Sequence, residues 1–172
     1  FDKTKLEKVA LIRFEKELVG CFLDRFIIRS YSPITTICGG VILDTNIYGK
    51  WKDNIEYGRK LFKKSKNESS LLKCIIENNI FNPYTLDSLA SKIGIKKEII
   101  IEKLKNEKII YIGNDSSKWV ITNNQLVNLK HDIINYINEF HKKNKYIQGV
   151  NKEQISSYLN LSTDILEKLL VE

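Results

Sequence analysis

A run of three short helical patterns followed by two short strand patterns constrains this chain more than any other feature, and it lies within residues 67–122. The helical patterns, with apolar residues three and four positions apart, occupy residues 71–76, 86–93 and 99–104. The strand patterns, rich in β-branched and aromatic residues, occupy residues 109–112 and 118–121. The polar stretch 113–117 predicts a turn between the two strands, so this part of the chain belongs to the α+β class.

Local signals predict where the first two helices begin and end. Ser69 or Ser70 is the predicted N-cap of the first helix, because serine hydroxyls accept hydrogen bonds from free backbone N–H groups. Thr85, with Ser88 three residues later, predicts the start of the second helix. Gly94 predicts its end, because glycine readily adopts the left-handed conformation of a C-cap.

The third helix is predicted over residues 96–107, with Ile99, Ile100 and Leu104 facing inward. Three helices followed by a β-hairpin is the element order of a winged-helix domain, a relative of the helix-turn-helix. The length of the segment also suits a small domain of this kind. We therefore predict a winged-helix domain over residues 67–123.

The last part of the chain repeats this three-helix order. A long helical pattern runs through Leu126, Leu129, Ile133, Ile134, Ile137 and Phe140. A short helix over residues 152–159 and another that begins at Ser162 follow it, and the sequence ends before a second hairpin. This repeat predicts a second winged-helix domain over residues 124–172, truncated before its wing.

The first 45 residues have a different character and read as β-strands. Three strand patterns occupy residues 8–14, 24–29 and 35–43. Paired glycines at Gly39 and Gly40 predict a bulge or a close approach of another group to the backbone. Three strands without a helix bury little apolar surface, which predicts that they belong to a larger β-structure. The chain contains no Met and begins with Phe1, so we expect it to be a piece of a longer protein.

Positive charge is concentrated in the middle of the chain. The net charge is +7, and residues 50–110 contribute +6 of it, with fourteen basic and eight acidic residues. The densest part falls on a segment with helical periodicity over residues 51–64, interpreted as a basic linker helix within residues 49–66. A focused positive region attracts polyanions, so this segment could bind nucleic acid. The alternative is that the lysines only form a solvated helix face.

Residue types that carry catalysis or bind metals are sparse. Three cysteines without a Cys-x-x-Cys pair favour free thiols in a reducing cytoplasm, and the two histidines lie apart from them. No phosphate-binding Gly-x-x-x-x-Gly-Lys-Ser/Thr loop occurs. Glu15, Glu17 and Asp44 are interpreted as charges on strand surfaces and turns. We therefore predict no catalytic residue, no metal site and no enzymatic activity for this chain. The longest apolar runs are only a few residues, which argues against a membrane partner.

The strand patterns resemble the end of the third domain of elongation-factor-Tu-like GTPases. In those proteins a Phe-x-x-Arg strand, here Phe26 to Arg29, leads into a glycine-rich strand, here Thr35 to Asp44. The ending Gly-Gly-Val-Ile-Leu-Asp is most similar to the bacterial selenocysteine-specific elongation factors, in which winged helices follow the barrel. Residues 139–144 and 148–155 also resemble a winged-helix signature of that family. Cys38 departs from the pattern, which has glycine there.

This resemblance implies a fold and a function for the whole chain. Residues 1–48 would be the last strands of a β-barrel domain, giving a partial barrel, a linker helix and two tandem winged-helix domains. The parent protein would deliver selenocysteyl-tRNA to the ribosome in the cytoplasm and recognise an mRNA hairpin that recodes a UGA codon. GTP and Mg²⁺ would bind in the missing N-terminal domain, so this chain itself would hold no cofactor.

The resemblance also implies two sets of contact residues. Arg29, Ser30 and Tyr31 would contact tRNA, although Arg29 could instead form a surface salt bridge. The candidate RNA-binding residues on the third helix and the wing are Lys96, Lys97, Lys103, Lys105, Lys118 and Trp119. Trp119 could instead anchor the core at the base of the wing. Two other functions remain open: a rigid spacer between distant domains, and a winged-helix DNA-binding transcriptional regulator.

Overall fold

The computed structural model describes residues 8–45, 47, 50–79, 83–113 and 118–171, and within them the chain is an α+β protein. Most of the predicted turn 113–117 and the first seven residues lie outside this part of the chain. The elements are β1 (Arg25–Arg29), β2 (Thr36–Val41), α1 (Trp51–Lys64), α2 (Glu68–Asn78), β3 (Tyr84–Thr85), α3 (Leu86–Ile93), α4 (Lys97–Leu104), β4 (Ile109–Ile112), β5 (Trp119–Thr122), α5 (Asn123–Lys143), α6 (Lys152–Leu159) and α7 (Thr163–Val171). None of the described helices combines the length and apolarity needed to cross a membrane.

Two of the three strands predicted near the N-terminus are confirmed, and they pair antiparallel as β1 and β2. The strand predicted over residues 8–14 is wrong, because this segment has no regular structure. Val9 instead lies against Gly58 of α1, where an added Cβ would come within 2.8 Å of its side chain. A strand forms only where a neighbouring backbone can pair with it. The described residues form a two-stranded sheet here and no closed barrel.

The β1–β2 hairpin confirms the predicted role of its paired glycines. Phe26 lies opposite Gly40 in the register, and a Cβ on Gly40 would lie 2.6 Å from the Phe26 ring. The ring therefore packs directly on the backbone of β2, which only glycine allows. The register also shifts between Ile28 and Arg29, where the hairpin contains a bulge or irregularity.

Helix α1 and the three predicted helices α2, α3 and α4 surround one apolar core. Tyr57 and Leu61 of α1 are buried there with Leu72 of α2, Leu89 of α3 and Leu104 of α4. The helix predicted over residues 51–64 is thus confirmed, and it packs into the bundle along one face. The predicted serine cap of α2 is wrong: Asn67 is the N-cap, and its side chain accepts a hydrogen bond from Ser70 N at 3.2 Å.

Helix α3 follows its predicted limits. Thr85 Oγ1 accepts a hydrogen bond from Ser88 N at 3.1 Å, and the helix ends at Gly94 in the left-handed conformation. Helix α4 is shorter than predicted and ends at Leu104. Ile100 and Leu104 are buried, whereas Ile99, predicted to face inward, is 41% exposed. Three consecutive isoleucines cannot all face one side of a helix, since adjacent residues are about 100° apart around its axis.

The β4–β5 hairpin separates two apolar cores. Val120 and Tyr111 pack on the first core, whereas Ile112, Trp119 and Ile121 belong to the second core, with helices α5, α6 and α7. Side chains of a strand alternate between its two faces, so an apolar strand can serve both cores. The β4–β5 hairpin thus covers both the first bundle, formed by α1 to α4, and the second bundle, formed by α5 to α7. A short strand that the sequence analysis missed, β3, pairs with the other edge of β5.

Helices α5, α6 and α7 confirm the predicted helical order of the last part of the chain. The long helix begins three residues earlier than the apolar pattern, at a capping box formed by Thr122 and Gln125. Gln125 is buried, and its side-chain amide donates to the carbonyl of Ile76 at 2.8 Å. The start of α5 is thereby joined to the C-terminal end of α2. Ile134 was counted in the apolar stripe of α5 but is exposed.

Candidate nucleic-acid interface

The loop between β1 and β2 presents two of the three predicted tRNA-binding residues to solvent. Arg29 is the exposed last residue of β1, and Tyr31 is 98% exposed. Ser30 is used within the loop: its backbone N donates to Thr35 O at 2.9 Å, and its hydroxyl oxygen accepts from Thr35 N at 3.0 Å. The Ser30 hydroxyl also donates to the carbonyl of Pro33. Ser30 therefore shapes the loop, while Arg29 and Tyr31 are available for contact.

A second arginine, absent from the predicted set, lies on the same face of the hairpin. Arg25, Ile27 and Arg29 alternate with Phe26 and Ile28 along β1, and all three are exposed. Side chains two residues apart share one face of a strand, so two guanidinium groups flank an apolar residue here. The spacing of these arginines in the sequence could have indicated this face once β1 was recognised. The outward face of β1 combines positive charge with apolar surface.

The lysines predicted on the third helix divide into two groups. Lys97 forms an ion pair with Asp87 of α3, and Lys103 forms one with Glu68 of α2. Lys96 and Lys105 are exposed just outside the two ends of α4, and no carboxylate among the described residues pairs with either. Cations already paired with carboxylates attract phosphate less strongly than unpaired ones. Lys96 and Lys105 are therefore the better candidates for phosphate contact.

The two predicted residues on the wing have packing or backbone roles. Lys118 is half-buried, and its carbonyl accepts a hydrogen bond from Leu86 N at 2.8 Å. Trp119 is only 8% exposed and belongs to the second core. Its ring is not presented as a surface on which a base could stack. The structure therefore assigns Trp119 to the alternative kept in the sequence analysis, that of a core anchor.

Helix α1 presents a basic outer face opposite its buried one. Lys52, Arg59 and Lys63 are exposed at positions seven and four residues apart, which places them on one side of the helix. Lys60 lies on the same side and pairs with Glu56 at 3.6 Å, but both side chains are well exposed and such pairs contribute little. This face holds the densest positive charge of the described chain and suits a phosphate backbone.

A buried ion pair joins the segment that follows the β1–β2 hairpin to the first bundle, formed by α1 to α4. Asp44, three residues after β2, has a side chain only 6% exposed and lies 2.8 Å from Lys92 Nζ of α3. Tyr57 of α1 donates its hydroxyl to the other carboxylate oxygen at 2.7 Å. The interpretation of Asp44 as a charge on a strand surface or turn is wrong, because its side chain is buried. Its partners come from two helices 13 and 48 residues away, which no local pattern reveals.

This network changes the acidity of the tyrosines around it. Burial, and then the nearby Asp44 carboxylate, raise the pKa of Tyr57 far above its ordinary range. The same two causes raise the pKa of Tyr84 to about 12. Both phenols therefore stay protonated at neutral pH, and Tyr57 acts as a hydrogen-bond donor to Asp44. These contacts hold the segment after the β1–β2 hairpin against α1 and α3, so the role of the network is structural.

The chain matches no protein-family model and no curated protein sequence at a significant level.

Proposed function

We propose that this chain is a fragment of a selenocysteine-specific translation elongation factor that contacts tRNA through its β1–β2 hairpin. In this proposal, residues 1–48 are the end of a barrel domain, and residues 67–123 and 124–172 are tandem winged-helix domains. The observation that carries the proposal is that Arg29 and Tyr31 are both exposed, at and next to the end of β1, on a loop closed by the hydrogen bonds of Ser30. A closed loop fixes the backbone from which the two side chains project, so less backbone entropy is lost on binding.

The chemistry of this loop suits RNA. The guanidinium group of Arg29 can donate two hydrogen bonds to one phosphate. The ring of Tyr31 can stack on a base or ribose, and its hydroxyl can hydrogen-bond a 2′-OH. We expect the basic outer face of α1, together with Lys96 and Lys105, to add attraction to the RNA backbone without reading sequence.

The tandem domains would act mainly as a rigid spacer within the parent factor. The shared β4–β5 hairpin and the hydrogen bond from Gln125 to Ile76 support this role, because they leave little freedom between the two bundles. The last third of the chain also has no excess positive charge, with seven basic and seven acidic residues over 111–172. The partners expected from this proposal are selenocysteyl-tRNA, the recoding mRNA hairpin and the ribosome, all in the cytoplasm, with GTP and Mg²⁺ bound elsewhere in the parent.

The alternative is a winged-helix DNA-binding transcriptional regulator. Such a protein would read bases with side chains of α4, where arginine is the commonest residue for a specific contact. Helix α4 contains no arginine, its Lys97 and Lys103 pair with carboxylates, and its exposed surface includes Ile99 and Ile101. These features favour the RNA-binding proposal over a regulator.

The test compares binding of the chain to selenocysteine tRNA, a recoding mRNA hairpin and random duplex DNA over a range of salt concentrations. We expect the tRNA to bind most tightly, and we expect Arg29→Ala to weaken it by roughly tenfold, as for loss of a charge-assisted contact. Arg13→Ala is the matched control, since it removes an exposed arginine outside the hairpin. Sequence-selective DNA binding, or an Arg29→Ala variant that binds tRNA as the parent does, would overturn the proposal.

A further inference from the structure

The second bundle contains a cavity that the proposed function leaves unused. It lies on the surface between α5 and α6 and has a volume of about 390 Å³. Ligand-binding cavities commonly measure roughly 300–1,000 Å³, so the space can hold a long side chain or a small ligand. The residues that line it are Asp132, Asn135, Tyr136, Glu139, Tyr158 and Leu159.

The wall of this cavity is aromatic. The rings of Tyr136 from α5 and Tyr158 from α6 are stacked, with centroids 4.4 Å apart and planes inclined by 29°. Phe140, one turn further along α5, has its ring centroid 6.4 Å from that of Tyr136. Tyr158 is 62% exposed, so its ring is held by stacking while much of its surface remains open to solvent. The stacked pair offers a rigid π surface to a ligand.

Two carboxylates flank this wall. Asp132, Tyr136 and Glu139 are four and three residues apart, so they share one side of α5. Neither Asp132 nor Glu139 forms an ion pair with any of the described residues, whereas Glu167 in the same bundle pairs with Lys152 at 3.0 Å. A cavity that combines unpaired carboxylates with aromatic faces repels phosphate and attracts cations.

We propose that this cavity binds an arginine side chain from a basic segment of another protein. A planar guanidinium group can stack on the Tyr158 ring and at the same time donate hydrogen bonds to Asp132 or Glu139. A lysine ammonium group is more strongly hydrated and lacks the planar shape, so it should fit less well. The inference is independent of the tRNA-binding proposal, because it concerns the other bundle and a ligand of opposite charge.

The first test uses the full chain and three short blocked peptides that differ only at their central residue: arginine, lysine or the uncharged isostere citrulline. Chemical-shift changes in NMR titrations should map to the cavity, with arginine binding most tightly, lysine less so and citrulline not detectably. Because the whole chain carries a net charge of +7, general electrostatic attraction cannot produce this order. Shift changes confined to other surfaces, or equal binding of citrulline, would contradict the proposal.

The second test uses variants in the same titration. Tyr158→Leu keeps an apolar side chain but removes the ring, and it should weaken arginine binding about threefold. Asp132→Asn should weaken it by a similar factor, about threefold. Glu153→Gln is the matched control, since it neutralises an exposed carboxylate of α6 that does not line the cavity. Unchanged affinity in both cavity variants, or an equal loss in the control, would overturn the proposal, and the peptide series remains decisive should a variant fold poorly.

Discussion

At the residue scale, Asp44 places a charge in the interior of the molecule. Its carboxylate accepts hydrogen bonds from Tyr57 and from the backbone N of Thr45, and it pairs with Lys92. Lys92 in turn donates to the carbonyl of Thr45 at 2.6 Å. A buried charge costs several kcal/mol to desolvate, and only such a complete set of partners offsets that cost. The network explains why the segment after β2 lies fixed against α1 and α3.

Removing the negative charge from this network should be strongly destabilising. We expect Asp44→Asn to lower the free energy of unfolding by about 3 kcal/mol, because Lys92 would remain buried without a counter-charge. Glu56→Gln, which breaks the exposed pair with Lys60, should change it by less than about 0.5 kcal/mol. Urea denaturation followed by circular dichroism measures both. A similar small effect for the two substitutions would show that the Asp44 pair is not buried in solution.

The raised pKa of Tyr57 predicts a loss of stability at alkaline pH. In the unfolded chain this phenol should lose its proton near its ordinary pKa of 10.0, whereas in the folded chain it keeps the proton to higher pH. The folded state therefore binds more protons above about pH 10, and stability falls as pH rises through that range. Tyr57→Phe should cost about 1 kcal/mol at pH 7, through the lost hydrogen bond.

The same Tyr57→Phe variant should show a shallower decline between pH 9 and pH 12 than the parent chain, a range set by the ordinary tyrosine pKa of about 10. Lysines also titrate in this range, but they do so in both proteins, so the difference isolates Tyr57. Thermal unfolding at a series of pH values measures the two curves. Parallel curves for parent and variant would contradict a raised pKa for Tyr57.

At the element scale, local chemistry predicted part of this fold, and contacts between distant residues decided the rest. The limits of α3 follow from Thr85 and Gly94, since both signals act on the backbone within a few residues. Strand β3 has only two residues, and its existence depends on β5, which lies more than 30 residues away. A pattern in a short window cannot reveal such a partner.

In the candidate interface, too, some features could be predicted from the local sequence, whereas others depend on distant residues. Arg29 and Tyr31 could be predicted as exposed, because Arg29 ends a strand and Tyr31 lies in the turn that follows it. The burial of Trp119 and the pairing of Lys103 with Glu68 depend on elements that are far apart in the sequence. The prediction of a serine N-cap for α2 is wrong for a local reason. Asparagine is at least as good an N-cap as serine, and Asn67 comes first along the chain.

The cap of α2 provides a test at this scale. We expect Asn67→Ala to lower the free energy of unfolding by about 1 kcal/mol, because the N–H of Ser70 loses its acceptor. Ser69→Ala, at a position predicted as a cap from the sequence, should leave it unchanged within about 0.5 kcal/mol. Urea denaturation of both variants distinguishes the two positions. The reverse order of effects would place the start of the helix at the serine.

At the scale of the whole molecule, the two bundles are joined at two places. The β4–β5 hairpin contributes side chains to both cores, and Gln125 links the start of α5 to the end of α2. The amide of Gln125 donates to the carbonyl of Ile76 near the end of α2, which also accepts from the backbone N–H of the C-cap residue Asn79. Structure lost in one bundle therefore removes packing from the other, which makes a single unfolding unit the expected behaviour.

Cooperative unfolding is the corresponding prediction. Tryptophan fluorescence and circular dichroism should report one coincident transition in urea. Gln125→Ala should shift the transition by about 2 kcal/mol, since it removes two hydrogen bonds of a buried side chain, one donated to the carbonyl of Ile76 and one accepted from the backbone N–H of Thr122. Gln154→Ala, at the equivalent position of the exposed capping box of α6, should cost less than about 1 kcal/mol. Two separate transitions in the parent chain would contradict the coupling.

The two-sided apolar character of β5 limits how this chain can be shortened. Truncation of the chain after Thr122 would expose Ile112, Trp119 and Ile121 together. A buried apolar patch would then become an exposed surface that favours association. The remaining piece would be prone to self-association even if its own helices stayed intact. Loss of the carboxy-terminal third is therefore tolerable only when polar replacements appear at these three positions.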